Sequence, residues 1–187
     1  MSTKTAKRCC GTSVGILIED QADRLLMVTR GWWPKGTAPV AGHVRDAHTS
    51  VAEALVAEVQ EETGLHVTGS GLLWEGHLPN LCASLPALPD PGHYWWVAAA
   101  TAEGTLTPAP GETKGAAWYT RRQVRTMART TLAHYRNGGL PADQPDARGC
   151  TGPQLHRDCG PVQFSRVALS LGELVAGGEP AVVRAGR

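Results

Sequence analysis

The sequence predicts an α/β domain followed by a C-terminal extension, and three observations lead there. Short runs rich in Val, Ile, Leu and Thr alternate with two segments of helical periodicity. The 187 residues, 42% of them hydrophobic, suffice for one domain with a real core, or for one domain with an appendage. After Gly138-Gly139 the chain turns rich in Gly, Pro and Asp and loses its periodicity. The expected organisation is a flexible N-terminus over 1–11, a folded domain over 12–136, and an extension over 137–187 that is available to pack on the core.

The first strands expected are Ser13 to Glu19 and Arg24 to Arg30, joined as a hairpin by Asp20-Gln21-Ala22-Asp23. A glycine-bounded loop, Gly31 to Gly36, contains Trp32, Trp33 and Lys35, and Ala38 to Ala41 then leads into Gly42-His43-Val44. From Val51 the period changes. Val51, Leu55 and Val59 recur at helical spacing, Ser50 is placed to cap the N-terminus, and Gly64 to stop the last turn, which predicts a helix from Val51 to Thr63. A strand over Leu65 to Trp74 follows, then a Pro-rich loop over Pro79 to Gly92 and an apolar strand from His93 to Ala100. Trp118-Tyr119 closes a further strand, and Thr120 with Gln123 has capping-box spacing for a helix ending near Arg136. In the extension, Val167 to Val175 is a candidate strand and short helix.

Charge and composition exclude several classes of function. The 18 basic and 17 acidic residues leave a net charge of +1, so no global field draws the chain to nucleic acid or membrane. No run of about 18 apolar residues is present, and Met1 to Cys10 lacks the apolar stretch of a signal peptide, so a cytoplasmic protein is expected.

The chemistry concentrates between Gly42 and Leu65. On the expected helix Glu58, Glu61 and Glu62 stand at i, i+3 and i+4, which crowds three carboxylates onto one face. Such a group is either a solvated acidic helix end or a hard-oxygen site for Mg²⁺ or Mn²⁺. The glycine-led loop before the helix and the glycine stop after it favour the metal site.

This stretch resembles the signature of the Nudix hydrolases, Gly-x5-Glu-x7-Arg-Glu-U-x-Glu-Glu-x-Gly-U, with U a bulky aliphatic residue. Gly42, Glu58, Val59, Glu61, Glu62, Gly64 and Leu65 match it, and the resemblance extends over residues 12 to 136. The box departs from the pattern in three ways: it is one residue longer, its early glutamate falls on His48 or Thr49, and its arginine is Ala57. Asp46 is the carboxylate that the longer loop offers instead.

The resemblance implies an α/β/α sandwich with a mixed sheet. It also implies Mg²⁺-dependent (or Mn²⁺-dependent) hydrolysis of a phosphoanhydride in a nucleotide or nucleoside diphosphate derivative. Glu58, Glu61 and Glu62 would hold the metal, and the base would be Glu61 or Glu112. The alternative is a catalytically impaired Nudix-fold module that binds or senses a nucleotide.

Arg30, Lys35, Gly42 and Arg45 are candidates for the substrate's phosphates. Trp32, Trp33, Tyr94, Trp95 and Trp96 are candidates for a base, with Trp95 the representative, and Trp95 and Trp96 must face opposite ways on one strand. The five arginines Arg121, Arg122, Arg125, Arg129 and Arg136 read as a solvated face or a homodimer contact rather than a nucleic-acid surface. Cys150, His156 and Cys159, with Cys82 or the Cys9-Cys10 pair, are candidate ligands of a structural Zn²⁺; unpaired loop thiols are the alternative.

Overall fold

Strand β1, Thr12–Ile18, is buried at every position. A strand buried on both faces reads as a continuous apolar run, and this one lies inside a sheet with layers on either side. The computed structural model describes residues 9–31, 36–45, 47–78, 93–111 and 113–136. The Pro79 to Gly92 loop and the extension, with its expected strand and helix at Val167 to Val175, lie outside these residues.

The elements follow the order β1, β2 (Arg24–Arg30), β3 (Gly36–Ala38), β4 (Val40–His43), α1 (Val51–Thr63), β5 (His66–Leu78), β6 (His93–Glu103), β7 (Thr113–Thr120) and α2 (Arg121–Arg136). Four strands form a sheet in the order β4-β1-β6-β5, and three form a second in the order β3-β2-β7. Among the described strands only β1 and β6 pair in parallel, so the larger sheet is mixed, as expected.

The hairpin predicted between β1 and β2 exists only at its tip. The Asp20 carboxylate accepts from the N–H groups of Ala22 and Arg24 at 3.0 and 2.9 Å, and Asp23 takes a left-handed φ of 54°. Beyond the Glu19–Leu25 bridge the strands part into different sheets. Both edges of β1 are taken by β4 and β6, and both edges of β2 by β3 and β7. Pro39, which lacks a ladder donor, stands where the chain crosses from β3 in one sheet to β4 in the other.

Alternation along the strands builds two apolar layers. Val14, Ile16 and Ile18 of β1, with Leu26 and Val28 of β2, pack against Ala54, Leu55 and Val59 of α1. Leu17, Leu25, Met27 and Val97 face the other way, with Val124 of α2 packed on them. The helices thus cover opposite faces, which is the predicted α/β/α sandwich. Complete burial of a side chain such as Val59 stabilises the fold by roughly 1.5–3 kcal/mol.

Helix α1 has the predicted bounds, and its caps explain them. Ser50 is extended and its hydroxyl accepts from Glu53 N–H at 3.1 Å, while Gly64 takes φ 74° and donates to the Gln60 carbonyl at 2.9 Å. The expected capping box of α2 also forms: Gln123 N–H donates to the Thr120 hydroxyl, and Thr120 N–H to the Gln123 side chain at 2.8 Å. No described helix is long and apolar enough to cross a membrane.

Candidate functional site

The site is built where α1 lies over β4. Val40 and Gly42, two residues apart, face the helix, and the Glu58 carboxylate occupies the space that a Cβ at Gly42 would fill. Any side chain there would overlap both oxygens of Glu58. The glycine that opens the sequence motif is therefore a cradle for its first helical glutamate. β4 is an edge strand among the described residues, and one of its amides points outward: Ala41 N–H donates to Glu62 Oε2 at 3.3 Å. Glu58 and Glu62 are half-buried between helix and strand, and Glu61 is exposed on the same helix face. Three carboxylates so grouped are a donor set of hard oxygens, which suits a divalent cation that also binds phosphate. Ala57, at the position of the pattern's arginine, is half-buried.

Glu53 of α1, which the sequence reading did not single out, serves the longer loop. It accepts from the hydroxyl and the N–H of Thr49, at 2.5 and 2.9 Å, and these hydrogen bonds hold its carboxyl below the usual glutamate range.

A family profile described as the NUDIX domain matches residues 11–137. The chain belongs to the Nudix family. Solved structures with the same fold include a NUDIX hydrolase from Nitrosomonas europaea, 20% identical, covering 77% of this chain and 100% of its own, at a TM-score of 0.50. Another is the MutT protein of Methanosarcina mazei Go1, 17% identical, covering 66% of this chain and 86% of its own, at 0.50. A third is the NUDIX domain of Shewanella oneidensis NrtR complexed with ADP ribose, 11% identical, covering 65% and 79%, at 0.51. At these identities the likeness is one of fold. Comparison with curated proteins gives no significant sequence match.

Within this Nudix fold the candidate residues are distributed unevenly. Arg30 is half-buried at the end of β2, beside Gly36 of β3 and Thr113 of β7 in register. Arg45 is exposed just after β4, with its N–H donating to the Thr12 hydroxyl at 3.3 Å. Trp95 is buried against Gly15 on the sheet face away from Glu58. Trp96 faces the other way, as alternation required, and packs at the margin of the core beneath α1.

Gly42, Val14 and Trp96 are register partners across β4, β1 and β6, which places Trp96 about two strand spacings, roughly 10 Å, from the glutamate cradle. Tyr94 shares that face, is exposed, and meets Trp96 edge to face at 4.9 Å between ring centroids. Sequence alternation separates Trp95 from Trp96 but does not say which of them joins the helix side.

Of the arginines on α2, Arg121 pairs with Glu19, its Nε donating at 2.9 Å. Lys35, Asp46, Glu112, Trp32, Trp33, Cys82, Cys150, His156 and Cys159 lie outside the described residues.

Proposed function

We propose that this Nudix protein is a Mg²⁺-dependent (or Mn²⁺-dependent) hydrolase of a phosphoanhydride bond in a nucleotide or nucleoside diphosphate derivative. The observation that carries this is the Glu58 carboxylate seated on Gly42, with Glu61 and Glu62 on the same helix face. Glu58, Glu61 and Glu62 would hold the metal, which supplies charge neutralisation for the phosphates and a more acidic bound water. Ala41 N–H restrains Glu62, and the Gly42 cradle restrains Glu58, so both enter the reaction pre-positioned. Exposed Glu61 is free of the strand and is the candidate to take the proton of the attacking water, with Glu112 as the other.

Arg30, Lys35 and Arg45 are the candidate phosphate contacts. Trp96 and Tyr94 share the face of the cradle, which supports a base-stacking role for them ahead of Trp95. A second reading, a nucleotide-binding module with impaired catalysis, draws support from Ala57, since no guanidinium from that position orients the neighbouring glutamates.

A phosphate-release screen over nucleoside triphosphates, sugar nucleotides and dinucleotides, with and without Mg²⁺, separates the two. Metal-dependent turnover that is lost in Glu61→Gln or Glu62→Gln is the expected result. Retained nucleotide binding without turnover on any substrate would establish the binding module instead.

A further inference from the structure

The face of β4 opposite the glutamate cradle carries a second cluster. His43, next in sequence to Gly42, lies in register with Ser13 of β1 and meets Cys9 and His93. Cys9 Sγ is 3.5 Å from His43 Nε2 and 2.8 Å from His93 Nε2, and all three donor atoms lie within 4.8 Å of one another. Cys9 and His93 are buried, and His43 is half-buried. We propose that Cys9, His43 and His93 form a zinc site, separate from the carboxylate site, that fastens the segment before β1 to β4 and β6.

The donor chemistry selects the ion. One thiolate and two imidazoles suit borderline-soft Zn²⁺ and disfavour Mg²⁺, the reverse of the three glutamates. Tetrahedral zinc with Zn–S of about 2.3 Å and Zn–N of about 2.0–2.1 Å sets S···N near 3.6 Å and N···N near 3.3 Å. The Cys9–His43 separation already has that value, and His93 needs to withdraw from the sulfur by roughly 0.8 Å.

The surroundings prepare the ligands. His93 Nδ1 is 2.7 Å from the Ser13 hydroxyl, and an Nδ1–H donating there leaves the Nε2 lone pair for the metal. Gly11 N–H donates to Cys9 Sγ at 3.3 Å, which favours the thiolate. On binding, the Cys9 S–H proton, which can be shared with His93 Nε2 in the metal-free pair, leaves to solvent, and both imidazoles bind neutral. Among the described residues the cluster supplies three ligands, and tetrahedral zinc takes a fourth. A buried Cys–His hydrogen bond would account for Cys9 and His93 alone. It would not account for a second imidazole with Nε2 turned to the same sulfur.

The test uses the full-length reduced protein, stripped of metal and titrated with Co²⁺ in excess Mg²⁺. The expected result is about one equivalent of Co²⁺ with a thiolate-to-cobalt charge-transfer band, a signal that carboxylates cannot produce, displaced by Zn²⁺. Cys9→Ser should abolish the band, and Cys150→Ser with Cys159→Ser should leave it intact. Ser13→Ala should weaken Zn²⁺ binding by about tenfold or more. His43→Gln, at a half-buried position, should weaken binding by at least about tenfold and supplies the result if Cys9→Ser does not fold. Absence of the band in the wild-type chain overturns the proposal. So does a band that survives Cys9→Ser, or wild-type affinity in His43→Gln.

Discussion

Replacing Gly42 by alanine puts a methyl group where the Glu58 carboxylate now lies. To restore even a 3.4 Å contact the nearest carboxylate oxygen must move by roughly 1.8 Å. The backbone of Gly42 is not in the left-handed region, so alanine adds no φ strain, and the displaced atoms are the far end of a flexible side chain. The fold should therefore lose less than about 1 kcal/mol, and the replacement of a strand glycine returns part of that. For the proposed hydrolysis the expected loss is larger, because misplacing a reacting-site group by about 1 Å can cost about 10²-fold, or about 2.7 kcal/mol in the barrier.

Gly42→Ala should thus keep its Tm within a few degrees while kcat/KM for metal-dependent hydrolysis falls by about 10²-fold. Mn²⁺ affinity, measured in parallel, should fall as well. In a Glu58→Ala background no carboxylate remains to be displaced, so the same alanine should have little further effect on Mn²⁺ affinity. Wild-type turnover and Mn²⁺ affinity in Gly42→Ala would refute the cradle. An equal loss of affinity in both backgrounds would refute it too.

Ser50→Ala removes the N-cap of α1 and should cost about 1 kcal/mol, read as a Tm decrease of about 2–4 °C with activity per folded molecule unchanged. Glu53 has a folded pKa below its unfolded value, so its contribution is present at neutral pH and lost as pH falls through the depressed folded value. Glu53→Gln should accordingly flatten the acid side of the Tm–pH profile, and an unaltered profile would count against the Thr49 contacts. Trp95→Ala should lower stability by about 3 kcal/mol by opening a cavity over Gly15, whereas Trp96→Ala should raise KM by about tenfold with kcat nearly unchanged. The opposite assignment of the two effects would place the base on the other face of the sheet.

Local signals carried much of this protein. Helix α1 was legible to the residue, because Ser50, the Val51, Leu55 and Val59 stripe and Gly64 are start, face and stop signals within one short stretch. The capping box of α2 was legible for the same reason. The hairpin between β1 and β2 misled beyond its turn, since a four-residue link reports that two strands meet but not which neighbours later occupy their edges.

By itself, the sequence determined the α/β class, the Nudix resemblance, and the grouping of Glu58, Glu61 and Glu62, because helical spacing is a short-range property. Tertiary structure alone decided that Gly42 makes room for Glu58 and that Trp96 rather than Trp95 shares its face. It also decided that Cys9, His43 and His93 converge behind the same strand. Each of these depends on strand register between segments tens of residues apart, and register is set by how whole faces pack rather than by any neighbour in the chain.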